Sequence, residues 1–154
     1  MSTPKILIFG YGNPGRGDHA LGPLFISEIE KLGLPDVECQ NDMQLQVEHL
    51  LDMQDREMVL FVDADVSCKA PFEFGQLKPE KDSSYSSHAM TPQALLHSFP
   101  DVLKKEPPAT FLLRIRGERF ELGDELTSQA SQHLKASIDF LLQFLKDAKG
   151  NIPQ

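Results

Sequence analysis

Three short stretches of the chain carry continuous or nearly continuous apolar residues, two weaker ones mix apolar and polar positions, and the segments between them carry apolar residues at helical spacing. Lys5-Ile-Leu-Ile-Phe9 and Met58-Val-Leu-Phe-Val62 are apolar almost throughout. A strand reads this way when helices cover both faces of its sheet, as in parallel sheets. Phe111-Leu-Leu-Arg-Ile115 predicts another strand, Val37 to Gln40 a weaker one, and Phe72 to Leu77 a short edge strand. Leu21, Leu24, Phe25 and Ile29 predict a helix from about Asp18 to Leu32, with Gly33 as its stop. Leu45, Val47, Leu50 and Leu51 predict a short amphipathic helix over 44–53. Thr91 as N-cap with Pro92 at the first helical position opens a helix toward Phe99. The longest helical pattern runs from Ser128 to Ala148, with Ile138, Leu141, Leu142 and Leu145 on its apolar face.

Strands alternating with helices imply an α/β fold. The expected form is a three-layer sandwich of phosphorylase/hydrolase-like type: a mostly parallel, twisted sheet with helices on both faces. The 154 residues fit one domain, 1–154, with no repeat or linker. In such sheets the functional site lies at the carboxyl ends of the strands. Three polar clusters fall there: Gly10 to His19, Asp63 to Asp65, and the loop from Lys78 to Met90 that carries His88.

Charge narrows the partners. The formal net charge is −8, from 15 Lys+Arg against 23 Asp+Glu. Bulk attraction to nucleic acid or to an anionic membrane is thereby excluded, and a cation or a basic protein is the easier partner. No apolar run approaches the roughly 20 residues that span a bilayer. The residues before the first strand lack a signal-peptide pattern, so the expected location is cytoplasmic. Cys39 and Cys68 form no CxxC pair and are expected to be reduced.

Each polar cluster admits more than one chemistry. Gly10-Tyr-Gly12-Asn-Pro-Gly15 satisfies G-x-G-x-x-G by letter, and Asp36 or Glu38 lies near the offset of a ribose-binding acid. Yet Pro14 removes an amide from the supposed phosphate cradle, which favours a turn with the helix starting after the glycines and Asp18 as its cap. Asp63-Ala64-Asp65 puts two carboxylates on one face of a strand end, where such pairs often cap a turn. Of five histidines, His49, His97 and His133 fall among solvent-facing polar residues of helical segments. His19 and His88 sit in the polar clusters. Two imidazoles and a carboxylate suit Ni²⁺ or Zn²⁺. No serine or cysteine stands in a nucleophile elbow.

These residues resemble a known family. Ile6-Leu-Ile-Phe-Gly10-Tyr-Gly-Asn13-Pro-Gly-Arg-Gly-Asp18-His-Ala-Leu-Gly22 is similar to the opening motif of the nickel–iron hydrogenase maturation endopeptidases: a strand, G-x-G-N, an acidic pair and a glycine. Val62-Asp63-Ala64-Asp65 resembles the second motif, a strand running into D-A. His88 matches the position of the third metal ligand, upstream of a helix. Ile115-Arg-Gly117 and Phe120-Glu-Leu-Gly123-Asp-Glu-Leu126 resemble the last strand and its loop. The likeness runs from Lys5 to about Leu142.

The resemblance implies a metal-dependent endopeptidase that removes a C-terminal peptide from a nickel-loaded hydrogenase large-subunit precursor. Nickel belongs to the substrate in that reading, with zinc or another divalent transition metal as a substitute. Asp63 and His88 match the second and third ligands. The first, an acid in the family, falls on His19, an imidazole that is still a competent ligand. Asp18 is the alternative if the loop turned it inward. Asn13, Asp18 and Asp65 are expected at the substrate, and a monomer is expected. The alternative to a protease is a relative that binds nickel or the precursor without cutting, which the histidine at position 19 keeps open.

Overall fold

The computed structural model describes residues 3–80 and 90–151, with side chains through Ala148. The order is β1 (Ile6–Tyr11), α1 (Leu21–Lys31), β2 (Val37–Asp42), α2 (Leu50–Met53), β3 (Met58–Asp65), β4 (Phe72–Gln76), α3 (Pro92–Leu103), β5 (Ala109–Arg116) and α4 (Ser128–Asn151). The five strands form one sheet in the order β2-β1-β3-β5-β4. β2, β1, β3 and β5 are parallel, and β4 closes one edge antiparallel to β5. The expected α/β sandwich is therefore observed.

The unbroken apolar strands are explained by their two covered faces. Ile6, Ile8, Leu60, Val62, Leu113 and Ile115 point into one core with Leu21, Phe25, Ile26 and Ile29 of α1 and Leu141 and Leu145 of α4. Leu7, Phe9, Val59 and Phe61 point the other way, against Leu50 and Met53 of α2 and Leu95, Leu96 and Phe99 of α3. Side chains that alternate in direction cannot alternate in polarity when helices lie on both sides.

Two helices differ from their sequence reading. α1 begins at Leu21, because residues Gly17–Ala20 form a 3₁₀ turn. Pro23 falls in the first turn of α1, where its missing N–H costs nothing. The helix expected over 44–53 is reduced to a 3₁₀ turn, Val47–His49, and the single turn of α2. Gln46 is extended (φ −136, ψ 163) and caps this turn, its amide donating to His49 Nδ1 at 2.8 Å, so the helical run begins only at Val47. α3 follows its reading closely: the Thr91 hydroxyl accepts from the Ala94 amide at 3.0 Å. No helix among the described residues is long and apolar enough to cross a membrane.

Candidate active site

β1 connects to β2 on one side of the sheet, and β3 returns on the other side of β1. The two connections diverge there and leave a crevice at the carboxyl ends of β1 and β3. A cavity of about 240 Å³ opens at this point. Tyr11, Gly12, Asn13, Arg16 and His19 line it from the β1–α1 turn, Asp63 from the end of β3, and Met43 to Leu45 and Met90 from the facing loops. Sequence-predicted residues from two separate motifs, His19 and Asp63, thus share one cleft.

Glycines make the β1–α1 turn possible. Gly12 has φ +147, and a Cβ there would lie 2.3 Å from the His19 carbonyl oxygen. Gly10 packs so closely that its Cβ would meet the Gly22 carbonyl oxygen at 2.6 Å. The chain crosses from strand to helix through a gap that side chains would fill. Asn13 Oδ1 accepts the Gly15 amide at 2.8 Å, which folds the turn and keeps the Asn13 carboxamide beside the cavity.

The electrostatics of the cleft are unusual for a carboxylate. Burial at the end of β3, reinforced by the charge of Asp65, raises the Asp63 pKa from an ordinary 3.8 to about 7. The Ala64 amide, the Tyr11 hydroxyl and Arg114 pull the other way and do not overcome it. Tyr11, buried beside Asp63, is itself raised well above 10, by burial first and by Asp63 second. The His19 imidazole is lowered from 6.5, by burial and then by the Arg16 cation. Its ring meets Phe120 edge-on, with centroids 4.5 Å apart. The cleft therefore pairs a neutral imidazole with a carboxyl group poised near neutrality. Such a pair suits proton transfer or metal binding.

The other sequence candidates lie elsewhere. Asp18 is not in the cavity. It is fully buried, and its carboxylate is taken up by the 118–127 segment, so it is neither a free helix cap nor turned toward substrate. Asp65 does not line the cavity: Oδ1 accepts the Ser67 amide and hydroxyl, each at 2.7 Å, and Oδ2 accepts from Arg114 at 3.1 Å. Arg114 also pairs with Glu73. Burial tends to raise the Asp65 pKa, but these donors leave it below 3.8. His88 lies outside the described residues. Among those described, no three His, Cys, Asp or Glu groups are placed to hold a metal. Both cysteines are free.

Sequence reasoning passed over several groups. Tyr11 was read only as part of a glycine-rich turn, although a polar aromatic at a strand end, in register with Asp42, is a usable signal. His49, expected at the surface, has a side chain only 12 % exposed, packs on Phe9 at 4.6 Å and lies 3.4 Å from Asp42. His133, also expected at the surface, is half-buried, with Nδ1 2.9 Å from the Arg116 carbonyl oxygen. His97 is exposed as expected. Arg16 and Phe120 have no sequence signal beyond their place in the loops.

No family model and no curated protein matches this sequence. Solved structures do match over nearly the full length. The hydrogenase-maturating endopeptidase HybD of E. coli superposes with a TM-score of 0.75 at 23% identity, covering 94% of this chain and 93% of that one. The nickel–iron hydrogenase maturation protease HycI of Thermococcus kodakarensis gives 0.73 at 21% identity, covering 93% of each chain. An uncharacterized protein from Wolinella succinogenes gives 0.64 at 15% identity, covering 94% of this chain and 99% of that one. At these identities the likeness establishes the fold: this chain has the fold of the hydrogenase maturation proteases.

Proposed function

We propose that the chain is an endopeptidase of hydrogenase maturation, removing a C-terminal peptide from a nickel-loaded large-subunit precursor. The observation that carries this reading is the convergence of His19 and Asp63 in one cleft at the switch point of a maturation-protease fold. A neutral imidazole and a carboxyl group that is costly to ionise alone are donors that suit nickel carried on the substrate. His88 is the third donor in this proposal. His19, Asp63 and His88 would hold the metal, which would supply polarisation of a scissile carbonyl or activation of a water.

The chain's own residues prepare the remaining features. The turn Gly12 to Arg16 borders the cavity and holds Asn13 where a substrate backbone would pass. Asp65, paired with Arg114, contributes charge that keeps Asp63 ready to take a proton. Burial keeps His19 neutral, and the Arg16 cation at the rim adds to it.

The test is cleavage in trans. Purified protein mixed with nickel-loaded precursor should shorten it by a C-terminal peptide, and nickel-free precursor should stay intact. Asp63→Ala should abolish the reaction. Precursor that is bound yet remains full length would refute the endopeptidase and support a binding protein.

A further inference from the structure

Asp18 accepts four hydrogen bonds, and all of them come from one distant loop. Oδ2 takes the Glu118 amide at 2.6 Å, the Arg119 amide at 3.1 Å and the Thr127 hydroxyl at 2.9 Å. Oδ1 takes the Thr127 amide at 2.9 Å. Two backbone bonds run alongside: the Asp18 amide donates to the Arg119 carbonyl at 2.7 Å, and the Gly17 amide to the Asp124 carbonyl at 3.1 Å. An ionised carboxylate tolerates full burial only with donors of this number and quality.

The same loop grips the residue next to Asp18. Phe120 presents its ring to His19 at 4.5 Å, so the loop that Asp18 holds also seats the imidazole. Space around this contact is tight. A Cβ on Gly117 would lie 2.5 Å from Phe120 Cζ and 2.9 Å from Asp18 Cβ. On the opposite side, the His19 carbonyl closes on Gly12, which has no side chain to hold it off. His19 is thus clamped between its own turn and a loop about 100 residues away in sequence.

We propose that Asp18 is the positioning residue of this site: by tying the 117–127 loop to the β1–α1 turn, it sets the direction in which His19 enters the cavity. Asp18 touches no substrate in this scheme. A merely structural carboxylate would hold the fold without fixing the His19 ring, so the test reads the ring itself.

The histidine ring resonances of the full chain report that geometry through the ring current of Phe120. Asp18→Asn keeps the volume but turns an amide NH₂ toward groups that already donate. The His19 ring protons should move toward their positions in an unstructured peptide. The kinetic arm rests on the proposed cleavage. There, kcat on nickel-loaded precursor should fall about 100-fold with KM little changed, the scale of a misplacement near 1 Å. Thr127→Val, which keeps the amide and loses the hydroxyl, should shift the His19 resonances less but in the same direction, and Thr127→Ser should restore them. Unmoved His19 resonances in folded Asp18→Asn overturn the proposal. If Asp18→Asn does not fold, unmoved resonances in Thr127→Val overturn it instead. Should the wild type leave the precursor whole, the cleavage reading fails, while the resonance comparison still decides the role of Asp18.

Discussion

Asp63→Asn should make the protein more stable while removing its proposed chemistry. In the folded chain the Asp63 pKa is raised from 3.8 to about 7, chiefly by burial. Between those values the folded state holds a proton that the unfolded state has released. Stability therefore falls as pH rises from about 4 to about 7 and is level above that. A gap of about three pH units corresponds to at most about 4 kcal/mol. Asp63 is only partly buried, so solvent screening reduces this to about 2 kcal/mol. Asparagine carries no charge and escapes the penalty. The variant should match the wild type near pH 4 and exceed it by a margin that grows to about pH 7 and holds at pH 8. At about 2–4 °C per kcal/mol for a chain of this size, the melting temperature at pH 8 should rise by roughly 4–8 °C. Urea unfolding followed by circular dichroism, in EDTA at pH 4, 6 and 8, measures it. An equal gap at all three pH values, or a less stable variant at pH 8, would refute the reasoning.

Gly12→Ala should cost about 2–4 kcal/mol, because it combines a strained φ with a backbone clash at the His19 carbonyl. Gly33→Ala, at φ +57 with nothing within 4 Å, should cost only about 1 kcal/mol, and equal losses in denaturant titrations would dismiss the close packing at Gly12. Binding of Ni²⁺ by the wild type should weaken more steeply from pH 7 to 5 than binding by His19→Glu, since an imidazole must stay neutral to coordinate. Because the His19 pKa lies below 6.5, the difference should widen toward pH 5. Calorimetric titrations with identical pH profiles would mean that the ring is not a ligand.

The centre of the sheet was legible because β1 and β3 are apolar on both faces, as strands covered by helices on two sides must be. β1, β3 and β5 were found with bounds close to those observed. The start of the helix over 44–53 was misread because Gln46 is extended and capped by His49, a local geometry that periodicity does not report. His19 and Asp63 could be assigned to one end of the sheet from the positions of their strands. Asp18 could not be assigned, because its partners lie at 118, 119 and 127, and local sequence carries no trace of them. Capping is the ordinary work of an aspartate before a helix, and nothing nearby in sequence says otherwise. The half-neutral state of Asp63 was equally hidden, since it arises from burial and from the neighbouring Asp65 together.

The tie between Asp18 and Thr127 also has a bearing on when this protein becomes competent during its synthesis. The carboxylate emerges with the first strand, and its last donor follows 109 residues later. At roughly 5–20 residues per second, the nascent chain carries an unanswered acid for about 5–20 s. Through that interval the β1–α1 turn has no loop to brace it, and the cleft has no fixed imidazole. Neither a ribosome-bound chain nor a fragment ending before residue 127 can hold the finished geometry. On the proposed reading, the cleft gains its finished geometry only after residue 127 has been made.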